Sequence, residues 1–377
     1  MLPSANWLGL SYFTYFFSFG IFLPFWSVWL QGEHISSEKI GILLGAGMIS
    51  RFIGSLFMAP IVKKNSQLII AIRILALFTL IFSITFSFCS IWLWLLLIIS
   101  GFSLFYGPLI PLTDALAATW QHQIGLDYGK VRLWGSMAFI LGSAVTGKIV
   151  NIFNHQAIMY FLWASLAMML LGMLLRPQHM PKDSLQENNV PHTTKWKILL
   201  TESSVWRFLL CTSLQQGAHA GYYGFSTIYW QAAGYSASVV GYLWALGVVA
   251  EVIIFALSKR LFCNLSVSRL LLISCICAVI RWTLMGTTTT LLGLICMQIL
   301  HAGSFTICHI AAMRFIAARQ GGDVIRLQAI YSALGMGGSV AIMTIVSGFL
   351  FQKYQGNIFY VMALVVLPVL FFRTKIK

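Results

Sequence analysis

Apolar stretches of about 20 residues, parted by short polar turns, follow one another along nearly the whole chain. Few folds accept that pattern. Membrane strands are about 10 residues long and alternate in polarity, so a barrel is excluded and the expectation is an all-α integral membrane protein. Twelve stretches can be counted: 7–30, 40–61, 68–88, 91–118, 133–153, 156–175, 205–230, 237–258, 267–287, 288–314, 327–351 and 356–373. The 9% of charged residues agrees with this, against roughly a quarter in soluble domains. The first stretch follows Met1 to Asn6, which lacks a basic region, and is read as a retained span rather than a removable signal.

A net charge of +15 raises nucleic acid as a partner until the charges are placed. On these spans, 19 of the 24 Lys and Arg lie on one side, among them Lys63, Lys64, Lys195, Lys197, Lys259, Arg260 and Arg319. Lys39, Lys148, Arg281 and Lys353 map toward the other side, and Arg51 lies between. The asymmetry reads as the positive-inside rule, with both termini cytoplasmic and no nucleic-acid partner. The seven cysteines form no C-x-x-C pair, and no His cluster has zinc spacing, so no metal site is expected. A phosphate-binding G-x-x-x-x-G-K-[ST] loop is also missing, which leaves no cofactor and an ion gradient as the energy source.

The chain repeats itself. A shift of 200 positions lays Gly41, Leu43 and Gly47 on Gly241, Leu243 and Gly247, and Arg51 on Glu251. Val131-Arg132-Leu133 recurs as Ile325-Arg326-Leu327. Residues 176–204 are polar and proline-containing, the mark of a linker, so we expect a six-helix half over 1–175, a cytoplasmic linker over 176–204 and a second six-helix half over 205–377. An even number of spans per half makes this a parallel repeat.

This architecture resembles the major facilitator superfamily. A closer resemblance rests on the segment Leu10 to Trp26, on Pro111-Leu112-Thr113-Asp114 and on Asp127-Tyr128-Gly129-Lys130-Val131-Arg132. Gln216-Gly217-Ala218-His219 and Ile325-Arg326-Leu327-Gln328-Ala329-Ile330-Tyr331 extend it. Together these resemble the bacterial 3-phenylpropionic acid transporters, near the lactose permease group. The resemblance implies a multi-pass protein of the bacterial inner (cytoplasmic) membrane, monomeric among lipid, whose partners are a small aromatic carboxylate and protons. The chain departs from the superfamily in the loop after the second span. Val62-Lys63-Lys64-Asn65-Ser66 lacks the acid and the glycine of the usual Asp-Arg-x-Gly-Arg pattern.

Ionisable residues in apolar spans are the candidate machinery, because a charge in hydrocarbon persists only beside a partner or a cavity. Arg51 is expected either to bind a substrate carboxylate through its guanidinium fork or to pair with a neighbouring acid. Glu251 is expected to exchange protons, with a permanent salt bridge as the alternative. Asp114, another proton-coupling candidate, and Arg132 sit at the cytoplasmic ends of the fourth and fifth spans, close enough in topology to pair. Arg132 and its repeat Arg326 are candidates for gating. Gln215, His219 and Tyr223 recur at i, i+4 and i+8, one helix face that can line a substrate site, with a buried His bonded to a neighbouring helix as the alternative; His301 and His309 likewise share a face around Phe305, and His309 is read as such a buried His. Ten aromatics crowd residues 12–29 of the first span. They are too many for one lipid stripe, so Tyr15, Phe19 and Trp26 are assigned to the ring of an aryl substrate. Pro24 and Gly107-Pro108, with Pro111, are expected to interrupt the first and fourth spans.

The function expected is proton-coupled import of 3-phenylpropanoate-like carboxylates by alternating access. The alternatives are a proton symporter for a neutral sugar or nucleoside, and a membrane receptor or scaffold without transport. No residue constellation points to an enzyme.

Overall fold

The computed structural model describes residues 1–183, 201–319 and 322–373. Most of the expected linker, 184–200 with Lys195 and Lys197, lies outside the described residues. Two compact units emerge, one formed by 1–183 with Tyr235–Ala245, the other by 201–234 with 246–373.

The first unit contains α1 (Ser4–Gly32), α2 (Ser37–Met58), α3 (Leu68–Ile84), α4 (Trp92–Tyr106), α5 (Leu109–Ile124), α6 (Tyr128–Phe153) and α7 (Gln156–Leu174). The following helices are α8 (Ser203–Gly217), α9 (Ala220–Ala232), α10 (Ala237–Phe262), α11 (Val267–Thr287), α12 (Leu291–His301) and α13 (Ile307–Ala317). Then come α14 (Gly322–Ile330), α15 (Ser339–Tyr354), α16 (Ile358–Val366) and α17 (Val369–Phe372). A π-helical turn, Ala302–Thr306, joins α12 to α13, and a longer one, Tyr331–Gly338, joins α14 to α15. Among the described residues there is no named strand, and ten helical segments are long and apolar enough to cross a membrane. That is two fewer than the spans counted from sequence, for local reasons. The seventh expected span is cut at Ala218-His219 into α8 and α9, and the last two run into one segment, Arg326–Phe372.

Membrane helices gain little from hiding apolar surface from one another, so close packing and small residues must join them. α1 packs against α6 and α7, and α2 against α4. At the α1–α6 crossing, a Cβ on Gly20 would lie 2.6 Å from the Phe139 carbonyl oxygen, and one on Gly142 2.5 Å from that of Phe17. The two glycines let the backbones touch. Gly142→Val is therefore expected to lower stability by about 1–3 kcal/mol, the usual cost of overpacking. The thermal unfolding midpoint in detergent reads this, and an unchanged midpoint would contradict the contact. The outer faces carry bare apolar side chains such as Ile70, Leu93, Leu292 and Leu364, each more than half exposed, as lipid contact requires.

α1 corrects one expectation. It runs unbroken through Pro24, and none of its eleven aromatics is exposed. Three of its hydroxyls bond back to its own carbonyls, Ser11 donating to that of Trp7, Thr14 to that of Leu10 and Ser18 to that of Tyr15. By contrast, Gly107-Pro108 does end α4, and Pro111 sits in the first turn of α5, where its missing N–H costs nothing.

The first residues of the expected linker form a strap across one end of the first unit. Leu2 exchanges backbone hydrogen bonds with Arg176 and Gln178, and the His179 N–H donates to Ser4 Oγ. Lys182 N–H donates to Gln123 Oε1 and its carbonyl accepts from Gln123 Nε2. Asp183 then accepts from the N–H and hydroxyl of Ser66 at 2.9 and 3.0 Å, in the α2–α3 loop. The bond from the Ser66 N–H holds the Asp183 carboxyl below the ordinary carboxylate range. The acid missing from that loop is thus supplied by the strap.

Candidate functional site

Two clusters of buried polar groups occur, one in each unit. In the first, Arg51 projects from α2 to α1 and α4. Its Nη2 donates to the Tyr15 hydroxyl at 2.7 Å, and its guanidinium carbon lies 4.8 and 5.7 Å from the Phe19 and Tyr106 ring centroids. Tyr15 and Tyr106 stack at 4.5 Å, and the Tyr106 hydroxyl reaches Ser18 Oγ and the Tyr15 carbonyl. No carboxylate pairs with Arg51 among the described residues. A guanidinium has five donors in a fixed fork, and the Tyr15 hydroxyl takes one of them. From Tyr106 the rings continue through Phe102 and Phe22 to Trp26, which is sealed between Phe22, Trp29 and Phe86.

Three to four residues earlier on α1, a second guanidinium, that of Arg132, lies over the Phe16 and Tyr12 rings at 4.3 and 5.4 Å. Asp114 accepts from the Tyr12 hydroxyl at 2.5 Å and from Tyr128 at 3.3 Å. Asp114 and Arg132 do not form the ion pair their topology allowed; both meet Tyr12 instead. Asp127 caps the N-terminus of α6 through the Lys130 N–H and forms an exposed pair with that side chain at 3.3 Å. Arg326, the repeat of Arg132, is half-buried in α14.

The second cluster is drier. Glu251 on α10 meets His301 Nε2 at 2.7 Å, at the end of α12. His301 stacks on Phe305 and Phe305 on His309, as the spacing predicted. His219 lies 5.6 Å from His301, ring to ring, with both nitrogens engaged, by the Gln215 carbonyl at 2.9 Å and Ser304 Oγ at 3.1 Å. Gln215 Nε2 bonds Ser274 Oγ and the Ser274 and Ser304 carbonyls. Tyr223 stacks on His219 across the α8–α9 break at 5.9 Å, so the expected face survives the interruption.

Arg281 is the residue that sequence reasoning misassigned. Counted there as a topological charge, it is fully buried. Its donors go to neutral acceptors: the Met297 carbonyl at 3.0 Å, Gln298 Oε1 at 3.3 Å and Ser304 Oγ at 3.4 Å. Its carbon lies 4.4 Å from the Tyr222 ring centroid and 4.3 Å from that of Trp282. With no directly paired acid among the described residues, the nearby Glu251 is its compensating charge. An ionised Glu251 makes the pair neutral, and a protonated one leaves a buried cation. The signal that flagged Arg51, one charge in an apolar stretch, was equally present at Arg281.

The π-turn makes this assembly possible. A π-turn widens the helix by one residue and shifts the carbonyl pairing. Here the Ser304 carbonyl accepts from both Gln215 and Ser274, and its hydroxyl contacts His219 and Arg281. Nothing in the composition of Ala302–Thr306 marks it as a π-turn.

Comparison with known proteins identifies the family. The MFS_1 like family model matches residues 6–362. A probable 3-phenylpropionic acid transporter of Escherichia coli (strain K12) is 59% identical over 376 residues, covering 100% of this chain and 99% of that protein. A maltose permease of Geobacillus stearothermophilus is 24% identical over 92% of the chain and 87% of its own length. A crystal structure of the nucleoside transporter NupG superposes with a TM-score of 0.81 at 17% identity, covering 100% of this chain and 99% of that one. A bacterial homologue of the lysosomal transporter Spinster gives 0.73 at 11% identity, over 98% and 95% of the two chains. The chain belongs to the MFS_1 like family, and it is a multi-pass membrane transporter and not an enzyme.

Proposed function

We propose that this transporter imports 3-phenylpropanoate-like aromatic carboxylates together with protons. The observation that carries the reading is Arg51, a guanidinium without a carboxylate partner among the described residues, hydrogen-bonded to Tyr15 and lying over Phe19. A bidentate carboxylate supplies further acceptors, and the half-buried Phe19 and Phe22 rings offer a phenyl tail a stacking surface, whereas Trp26 is sealed away from it. The name of the 59% identical relative supports the same substrate class.

Proton coupling is assigned to the second cluster. Glu251 bonded to His301 can take up or release a proton without unfolding anything, and Arg281 sets the charge of the surrounding protein in each state. A cluster that changes by one unit of charge has a different affinity for the two access states. Tyr12 and Arg132, with Asp114, form the inner boundary of the Arg51 site in this reading, and Arg326 is its repeat. We further propose twelve spans, in parallel halves over 1–175 and 205–377, in a bacterial inner membrane with both termini cytoplasmic. The sidedness of Lys and Arg supports that orientation.

Uptake of labelled 3-phenylpropanoate into proteoliposomes, with and without an imposed pH gradient, tests this. Gradient-driven accumulation is expected, and an excess of unlabelled 3-phenylpropanamide, the neutral analogue, should compete poorly. Equal competition by the amide would overturn the carboxylate role, and accumulation indifferent to the gradient would overturn proton coupling.

A further inference from the structure

Among the described arginines, two have a buried Nε atom with no acceptor: Arg207 near the start of α8 and Arg373 just beyond α17. Three other arginines outside the two clusters are spoken for. Arg73 bonds the carbonyls that end α7, Arg314 those of Phe262 and Leu265, and Arg319 grips Glu202 with two bonds of 2.8 Å. No ion pair holds Arg207 or Arg373 among the described residues.

The two belong to one place. The Trp206 and Phe372 rings meet edge to face at 5.8 Å, which brings the start of α8 against the end of α17. Arg207 lies 5.0 Å from the Trp206 ring centroid, and Arg373 Nη1 donates to Ser268 Oγ at 3.2 Å, in the first turn of α11. Both guanidinium charges are felt at the Cys211 thiol, one turn along α8. The first turn of α11 carries no acid, and it bears Arg269, a third cation at the positive end of a helix dipole. Two guanidinium groups without a carboxylate partner among the described residues therefore sit beside the start of α11. Trp206 and Phe371 are exposed beside them, the kind of aromatic surface that sits at the level of lipid headgroups.

We infer that Arg207, Arg373 and Ser268 bind the phosphate of an anionic phospholipid, whose acyl chains run beside Trp206 and Phe371. The phosphate supplies acceptors for the terminal guanidinium nitrogens, and its charge answers the two guanidinium cations. Basic groups at the ends of membrane helices, on the side rich in Lys and Arg, face the headgroups that carry such phosphates. This site is independent of the transported solute.

Native mass spectrometry of the detergent-purified protein, titrated with dioleoylphosphatidylglycerol or dioleoylphosphatidylcholine, tests the inference. Wild type is expected to retain phosphatidylglycerol in preference to phosphatidylcholine. The double substitution Arg207→Gln with Arg373→Gln should weaken that retention about tenfold or more, the scale of one lost charge-assisted contact. Arg373→Gln alone, at the chain's edge, guards against a misfolded double variant and should show part of the loss. Equal retention of the two lipids by wild type, or unchanged retention in both variants, would overturn the site. Displacement of the lipid by millimolar inorganic phosphate would overturn the lipid assignment in favour of a free anion.

Discussion

Glu251→Gln is expected to abolish accumulation driven by a pH gradient while preserving exchange of labelled for unlabelled substrate. Glutamine keeps the shape and can still hydrogen-bond His301, but it carries no titrating proton. The charge beside the buried Arg281 is then fixed. With one proton per substrate, a gradient of two pH units stores about 2.7 kcal/mol and sustains up to about 100-fold accumulation. The variant should fall to a ratio near one. Counterflow separates this from simple damage, since exchange needs the binding site and its movement but no net proton. A variant that still concentrates substrate would move coupling away from Glu251. Arg281→Met would not be a clean substitute, because it leaves Glu251 without its compensating charge, and removing one partner of a buried pair is strongly destabilising.

Arg51→Ala is expected to erase the distinction between 3-phenylpropanoate and its amide. Truncating one member of a hydrogen-bonded charge pair in a dry site costs about 2–5 kcal/mol, or roughly 30- to several-thousand-fold in apparent affinity for the acid. The amide gains nothing from the guanidinium charge and should lose far less. Arg51→Lys keeps the charge but not the fork, so it should recover only part of the acid's affinity. Competition curves for acid and amide against labelled substrate read both effects. An undiminished preference for the acid in Arg51→Ala would make Arg51 structural, a strut bonded to Tyr15 and packed on Phe19.

Arg51 and Glu251 were legible because a single charge in a long apolar stretch has few explanations. Arg281 carried the same mark, but its place near the end of its stretch let the positive-inside count absorb it. Burial separates those cases, and burial depends on helix rotation. The meeting of Tyr12 with Asp114, where sequence allowed Arg132, was hidden for the same reason. So was the use of Asp183 to fill the α2–α3 loop, which needs the path of the strap. The aromatic face of α1 was legible by number alone, since ten rings exceed what lipid contact would use. Which rings stand beside Arg51 and which are sealed with Trp26 was not. Pro24 shows a propensity overridden by environment: in a helix buried among helices, one lost backbone bond does not break the element.

The π-turn at Ala302–Thr306 also constrains how this helix can change in length. An α-helix turns about 100° per residue, and a π-turn takes one residue more into its turn, so deleting one residue there would restore regular pairing with the helix beyond it in nearly the same phase relative to His301. His309 would keep its place beside the Tyr331 hydroxyl that it contacts at 3.2 Å, while the bulge that carries Ser304 to His219 and Arg281 would close. The surplus residue thus serves the polar cluster and leaves the phase of the span unchanged.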